Sequence, residues 1–201
     1  MIALIDYKAG NLTSVKKALT ALGADFVVPE SPEQCDRAAG VIVPGVGHFS
    51  ATTAIGEPWR TAIGRAVARG TPLLGICVGM QWLFEGSEEA PEVAGLGALK
   101  GRCRLLRGDS EQRLKVPHVG WNALEMPRPS RLLTGLESGA YVYFTHSFAA
   151  PVTSDCVAST QHAEPFSAAV ERDLVFGVQF HPEKSGDAGL TILRNYLALC
   201  R

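Results

Sequence analysis

Short apolar runs alternate with longer stretches of helical periodicity through the first half of the chain. IALID (2–6) predicts a buried strand, and NLTSVKKALTALG (11–23) a helix opened by an Asn or Thr cap and closed by a glycine. FVV (26–28) and VIV (41–43) predict further strands, and EPWRTAIGRAVARG (57–70) a helix ending at Gly70. PLLGIC (72–77) runs directly into VGMQWLFEG (78–86), a strand followed at once by a helix. This rhythm predicts parallel pairing through crossover helices.

After Gly101 the pattern changes to short runs bounded by Gly, Pro and Asp: RCRLL, VGWNAL, YVYFTHSF, CVAST, FSAAVE and LVFGVQF. With no room for helices between them, they predict an antiparallel edge or a small added sheet. In GDAGLTILRNYLALC (186–200), Leu190, Leu193, Leu197 and Leu199 fall near helical spacing and predict a final helix covering one face. No repeat, low-complexity segment or linker interrupts the chain. The expectation is one α/β domain over residues 1–201, a three-layer sandwich with a mostly parallel central sheet and a small antiparallel extension.

A chain of 201 residues can bury a continuous core without disulfides or metal. The net charge of -1 offers no field for nucleic acid, so none is expected as a partner. No apolar stretch approaches the roughly 20 residues that span a bilayer, and MIALIDYKAGN lacks the basic region of a secretory signal, so a cytosolic protein without a membrane partner is expected. The five cysteines form no CxxC pair and read mostly as small buried hydrophobes. His48, His118, His146, His162 and His181 show no ligand spacing, so neither metal nor organic cofactor is expected. Asn11-Leu12-Thr13 has sequon spacing but reads as a helix start.

Chemistry enters at GICVGMQ (75–81), where Cys77 falls at the junction of strand and helix with Gly75 and Gly79 two positions to either side. Hydrolases hold a nucleophile on such a strained turn, and small flanking residues let strand and helix approach. The first amides of the helix would favour the thiolate, the form that attacks a carbonyl. The competing reading is a buried cysteine at the end of a core strand, with glycines serving only the turn.

Two further strings bear on the choice. GVQFHPEKSG (177–186) puts His181 and Glu183 just past an apolar strand. On extended backbone, two residues apart share one side, so Glu183 would orient the imidazole while the ring takes the thiol proton. Alone, His181 would read as structural. VIVPGVGHF (41–49) ends a strand in a glycine loop whose amides at Val46 or Gly47, with that of Val78, would stabilise an oxyanion. A plain turn is the alternative; a phosphate loop is disfavoured because the Lys-Ser/Thr ending is missing.

PGVGHF, GICVGMQ and GVQFHPEKSG, in this order and spacing, resemble the class I (triad) glutamine amidotransferases, which hydrolyse glutamine through a cysteine. IDYKAGNLTSV, LFEGSEE, VPHVGWN and YFTHSF narrow the resemblance to the glutaminase subunits of imidazole glycerol phosphate synthases, of histidine biosynthesis. The resemblance implies Cys77 as nucleophile, His181 as general base and acid, and Glu183 as the orienting carboxylate. It implies that Gly79, Gln81, Glu89 and the backbone around His146, Ser147 and Phe148 hold L-glutamine. By residue type alone, Glu89 would be a solvated charge and Gln81 a polar helix residue. It also implies a separate (β/α)8 cyclase subunit as heterodimer partner, with Asn11, His118, Trp121, Asn122, Tyr143 and Lys184 on or near the shared face. Because free ammonia is wasted in solution, low activity is expected until the cyclase and its ligand align the oxyanion amides. Without the family, Trp121 would anchor either core or interface, core being the commoner outcome.

One departure is visible. The opening reads DYKAGN, where such proteins usually carry glycine in place of Lys8, and a left-handed Lys8 would cost about 1 kcal/mol or more. Other readings remain open from sequence: a glutaminase serving anthranilate, aminodeoxychorismate or pyridoxal phosphate synthesis, a cysteine hydrolase of peptides or esters, or a non-catalytic binding domain.

Overall fold

The computed structural model describes residues 1–8, 10–111 and 114–200. Its strands and helices are β1 (Ile2–Leu4), α1 (Leu12–Ala21), β2 (Phe26–Val27), β3 (Gly40–Val43), α2 (Glu57–Ala68), β4 (Leu73–Ile76) and α3 (Val78–Leu83). They continue with β5 (Gly86–Ser87), β6 (Ala90–Ala94), β7 (Arg102–Leu105), β8 (His118–Ala123), β9 (Tyr141–His146), β10 (Phe148–Ala149), β11 (Cys156–His162), β12 (Glu164–Arg172), β13 (Val175–Val178) and α4 (Gly186–Leu199).

Seven strands form the central sheet in the order β11-β12-β13-β4-β3-β1-β2. The five from β2 to β13 run parallel, and β12 and β11 extend the edge antiparallel. β1, β3, β4 and β13 are apolar and buried along their whole length, as parallel strands covered on both faces must be. The β1-to-β2 and β3-to-β4 connections travel in opposite directions across the sheet. Right-handed crossovers therefore place α1 and α2 on opposite faces, giving three layers. On α4, the buried Tyr196 hydroxyl reaches the carbonyls of Val41 and Pro72, fixing that helix over the sheet. Every Leu or Ile sealed between these layers contributes about 1.5–3 kcal/mol.

Several sequence expectations change. LVFGVQF, grouped with the antiparallel runs, supplies β13, which pairs parallel with β4 in register Gly177↔Gly75 and Val178↔Ile76. The chain makes this crossover through the insertion that builds the four-stranded sheet β10-β7-β5-β6 and the β8-β9 hairpin, not through a single helix. The helix expected over 78–86 stops at Leu83, because Phe84 turns extended and Gly86 adopts φ 157° to begin β5. Two 3-10 segments, Pro32–Arg37 and Phe49–Ala54, lie in stretches without a strong period.

Lys8 does adopt the left-handed conformation, at φ 64°. Its amide and its ammonium both reach the Asp6 carboxylate, at 2.9 and 3.0 Å, which holds the strained residue in place. Asn11 opens α1 but makes no side-chain cap; at φ 76° its amide turns away from the helix and into the site described next.

Candidate active site

The central strand β4 delivers Cys77 to the C-terminal end of the parallel sheet, and α3 begins at the next residue. Cys77 sits at φ 54°, ψ -110°, a conformation that a non-glycine residue occupies only when its surroundings impose it. Its amide donates to the Val178 carbonyl at 2.8 Å and its carbonyl accepts from Gln81 at 3.1 Å. The flanking glycines make the reversal possible. A Cβ on Gly79 would lie 1.8 Å from the Val43 carbonyl oxygen, and one on Gly75 would lie 2.5 Å from the Gly79 carbonyl oxygen. Helix and strands thus meet backbone to backbone, and this geometry gives the reactive reading of the glycine-flanked cysteine its footing.

His181 and Glu183 follow β13. The expectation of extended backbone between them is corrected: Pro182–Lys184 forms a single 3-10 turn, entered through the fixed φ of Pro182. The turn still brings the side chains together, with His181 Nδ1 2.7 Å from Glu183 Oε1. Both side chains are fully buried. Burial opposes a charge on His181, but hydrogen bonds and negative charge from Cys77 and Glu183 outweigh it and raise the imidazole pKa to about 9. Nε2, buried and without a well-formed hydrogen bond, is the position where the Cys77 proton can arrive. Asn11 Nδ2 donates to Glu183 Oε1 and lies 3.2 Å from His181 Nδ1. The residue expected at the partner face is therefore bonded to the Glu183 carboxylate.

Gly47, Cys77, Val78, Gln81, Glu89, Pro117 and residues 145–148 line a cavity of about 230 Å³. Glu89 is no solvated helix end: it follows β5 and its Oε2 accepts from the Phe49 amide at 2.7 Å. Gln81 is buried inside α3 and donates to the Phe148 carbonyl at 2.8 Å. Burial holds His146 neutral, with its pKa lowered to about 3, and its Nδ1 meets the Phe148 carbonyl at 2.9 Å. Gly79, expected among the glutamine-binding residues, faces the Val43 carbonyl and does not line this cavity; the close approach sets the position of α3. Of the expected oxyanion donors, Gly47 and Val78 line the cavity and Val46 does not. The Val78 amide points at the Gly45 carbonyl, 3.4 Å away, so in this conformation the loop itself occupies that donor.

The β8-β9 hairpin separates two faces by its period of two. Val119, Trp121 and Tyr141 are more than half exposed. Trp121 packs edge-on against Tyr143, its cross-strand partner, and Lys184 Nζ lies 5.8 Å from the Tyr143 ring centre. Trp121 is thus a surface aromatic, not a core one. The opposite face turns inward. His118 is buried, stacked on Phe144 and His162, and 3.1 Å from His146 Nε2. Asn122 donates to the Gln161 carbonyl. His118 and Asn122 lie on the strand face opposite Trp121, His118 buried and Asn122 half-buried, and both line a surface pocket together with Trp121.

Sequence reasoning passed over Gln179, which is fully buried with Nε2 3.7 Å from Cys77 Sγ. Its only sequence signal was a place inside GVQFHPEKSG. Among the described residues no group of three or more His, Cys, Asp or Glu side chains could hold a metal ion. None of the described helices is long and apolar enough to cross a membrane.

The profile of the glutamine amidotransferase class-I family matches residues 3–199. The imidazole glycerol phosphate synthase subunit HisH of Geobacillus kaustophilus is 48% identical over 99% of this chain and 97% of its own. The protein of the same name from Methanothermobacter thermautotrophicus is 42% identical, with both chains fully covered. A solved glutamine amidotransferase superposes with a TM-score of 0.73 at 21% identity, covering 99% of this chain and 98% of the other. PurLQS from Thermotoga maritima gives 0.68 at 20% identity, covering 100% and 98%. The two solved structures speak for the fold alone, but the profile and the close relatives speak for descent: the chain belongs to the class-I glutamine amidotransferases.

Proposed function

We propose that the chain is the glutaminase subunit of an imidazole glycerol phosphate synthase, hydrolysing L-glutamine to glutamate and ammonia for a (β/α)8 cyclase partner. The observation that carries the chemistry is Cys77 on its strained turn beside a buried His181-Glu183 pair, at the wall of a cavity sized for one amino acid. The family and the names of the close relatives support the rest.

In this reading Cys77 Sγ gives its proton to His181 Nε2 and attacks the side-chain amide carbon of glutamine. The C–N bond then breaks, the amide nitrogen takes the proton from His181, and ammonia leaves. Water, losing a proton to the same nitrogen, attacks the thioester; glutamate departs and the thiolate is restored. Glu183 accepts from Nδ1–H and stabilises the imidazolium, while Asn11 fixes the carboxylate. Glu89 and the Gln81-braced backbone at residues 146–148 hold the amino and carboxylate ends of the substrate.

The oxyanion loop supports gating by the partner. With the Gly45 carbonyl on the Val78 amide, attack would place negative charge beside a carbonyl oxygen, so the loop must turn before the reaction runs well. The exposed Val119, Trp121 and Tyr141, with Tyr143 and Lys184, offer the docking face. Five unpaired cysteines suit the reducing cytoplasm, where we place the enzyme. Glutaminase activity assayed alone, with the cyclase, and with the cyclase plus its nucleotide substrate tests the proposal. Stepwise stimulation is expected; stimulation by a different acceptor synthase in its place would reassign the partner.

A further inference from the structure

We propose that Gln179 is a working part of the nucleophile, its side-chain amide donating a hydrogen bond to the Cys77 sulfur that is made in full only to the thiolate. The inference deepens the glutaminase reading and rests on Cys77 being its nucleophile. It begins with four groups in line: the Phe148 carbonyl, Gln81, Gln179 and Cys77. Gln81 Nε2 lies 2.8 Å from the Phe148 carbonyl and 3.1 Å from Gln179 Oε1, and Gln179 Nε2 lies 3.7 Å from Cys77 Sγ. Gln81, Gln179 and Cys77 are all buried, so water does not compete for these groups.

The orientation of both amides follows from the chemistry of the first member. A backbone carbonyl only accepts, so the Gln81 atom facing Phe148 is its NH2 group. The second hydrogen of that group points at Gln179 and requires an oxygen there. The NH2 of Gln179 is thereby left facing the sulfur. The backbone at Phe148, part of the cavity wall, thus fixes through two side chains which end of Gln179 meets the nucleophile.

Two polar neighbours of the sulfur act in opposite senses. The Thr145 carbonyl, 4.0 Å away, can only accept and so favours the protonated thiol. Gln179, nearer at 3.7 Å, donates, and a bond to a charged acceptor is about twice as strong as one to a neutral group. The donor therefore helps twice in the reaction: when Cys77 loses its proton to attack, and when the thioester breaks and sulfur leaves as thiolate. Gln179 itself stays where its backbone amide is held, 2.8 Å from the Ala168 carbonyl at the end of β13.

The test uses the full chain without glutamine, so it does not depend on the identity of the substrate. Alkylation of Cys77 by iodoacetamide is followed against pH in the wild type, Gln179→Met and Gln179→Glu. Gln179→Met keeps the length and removes the donor; alkylation at neutral pH should slow about tenfold, with the profile displaced to alkaline pH and the limiting rate recovered there. Gln179→Glu keeps an acceptor for Gln81 but sets a carboxylate against the sulfur, and should slow it further. In the glutaminase assay the loss should fall on kcat more than on KM. A Met variant with wild-type alkylation at every pH, whatever its melting temperature, would reduce Gln179 to a packing residue. Should the variants fail to fold, the side-chain amide resonance of Gln179 in the wild type, observed by 15N NMR, should move as Cys77 titrates; a resonance indifferent to that titration would overturn the proposal.

Discussion

Glu183→Gln isolates the part of the proposed triad that acts through charge. The substitution preserves shape and leaves an amide oxygen able to accept from His181 Nδ1–H at the position of the present 2.7 Å contact. It removes the negative charge from a site where both side chains are sealed from water. The His181 pKa of about 9 stands above the unperturbed 6.5, a difference worth about 3 kcal/mol that Cys77 and Glu183 supply against the cost of burial. Losing the charge-assisted half of this should cost about 1.5 kcal/mol, close to tenfold in the population of the imidazolium-thiolate pair. The imidazole should then titrate clearly below about 9, with kcat down about tenfold and KM little changed. Stability carries the same signature. Because the folded value lies above the unfolded one, the wild-type contribution is complete below about pH 6.5 and disappears as pH rises through about 9. Urea denaturation at several pH values across that window should show a larger fall for wild type than for the variant. NMR titration of His181 reads the cause directly, and a Glu183→Gln imidazole titrating with the wild-type midpoint would refute the reasoning.

Gly79→Ala drives a methyl group to within 1.8 Å of the Val43 carbonyl and should cost about 3 kcal/mol, read as a lower urea midpoint; an unchanged midpoint would show that α3 is not set by that contact. Trp121→Ala, at an exposed position paired with Tyr143, should weaken cyclase binding about tenfold or more in calorimetry with little change in melting temperature, and equal affinity would move the docking face elsewhere. Burial lowers His118 to about 4 and His146 to about 3, so both bind protons more readily in the unfolded chain. Stability should therefore fall as pH drops from about 6.5 toward 4, and a His146→Gln variant whose acid midpoint tracks wild type would contradict this.

The parallel half of the fold was legible because β1, β3 and β4 are continuous apolar runs separated by helical periods. The place of β13 was not, since nothing in LVFGVQF distinguishes a strand pairing with β4 from one extending the antiparallel edge; that depends on where a long insertion returns the chain. The turn at Cys77 and the pairing of His181 with Glu183 could be read because each needs few side-chain types in a fixed local setting. The cavity contacts of Gln81 and Glu89 needed the family likeness, as their polarity alone fits a surface equally well. The bond from Asn11 to Glu183 and the place of Gln179 escaped for a related reason: an Asn before a helix suggests a cap, and a Gln in an apolar strand suggests nothing. Their roles arise from partners 172 and 102 residues away. Strand alternation turns His118 inward, a burial that its motif alone does not announce.

Intact-mass and peptide analysis of the protein quenched in acid during glutamine turnover, with the proposed cyclase partner present, bears most directly on the proposed triad. A glutamyl group should appear on the peptide containing Cys77, decay as glutamate is released, and be absent in Cys77→Ser. Sustained release of glutamate by that variant, or a glutamyl adduct on any other cysteine, would contradict the account.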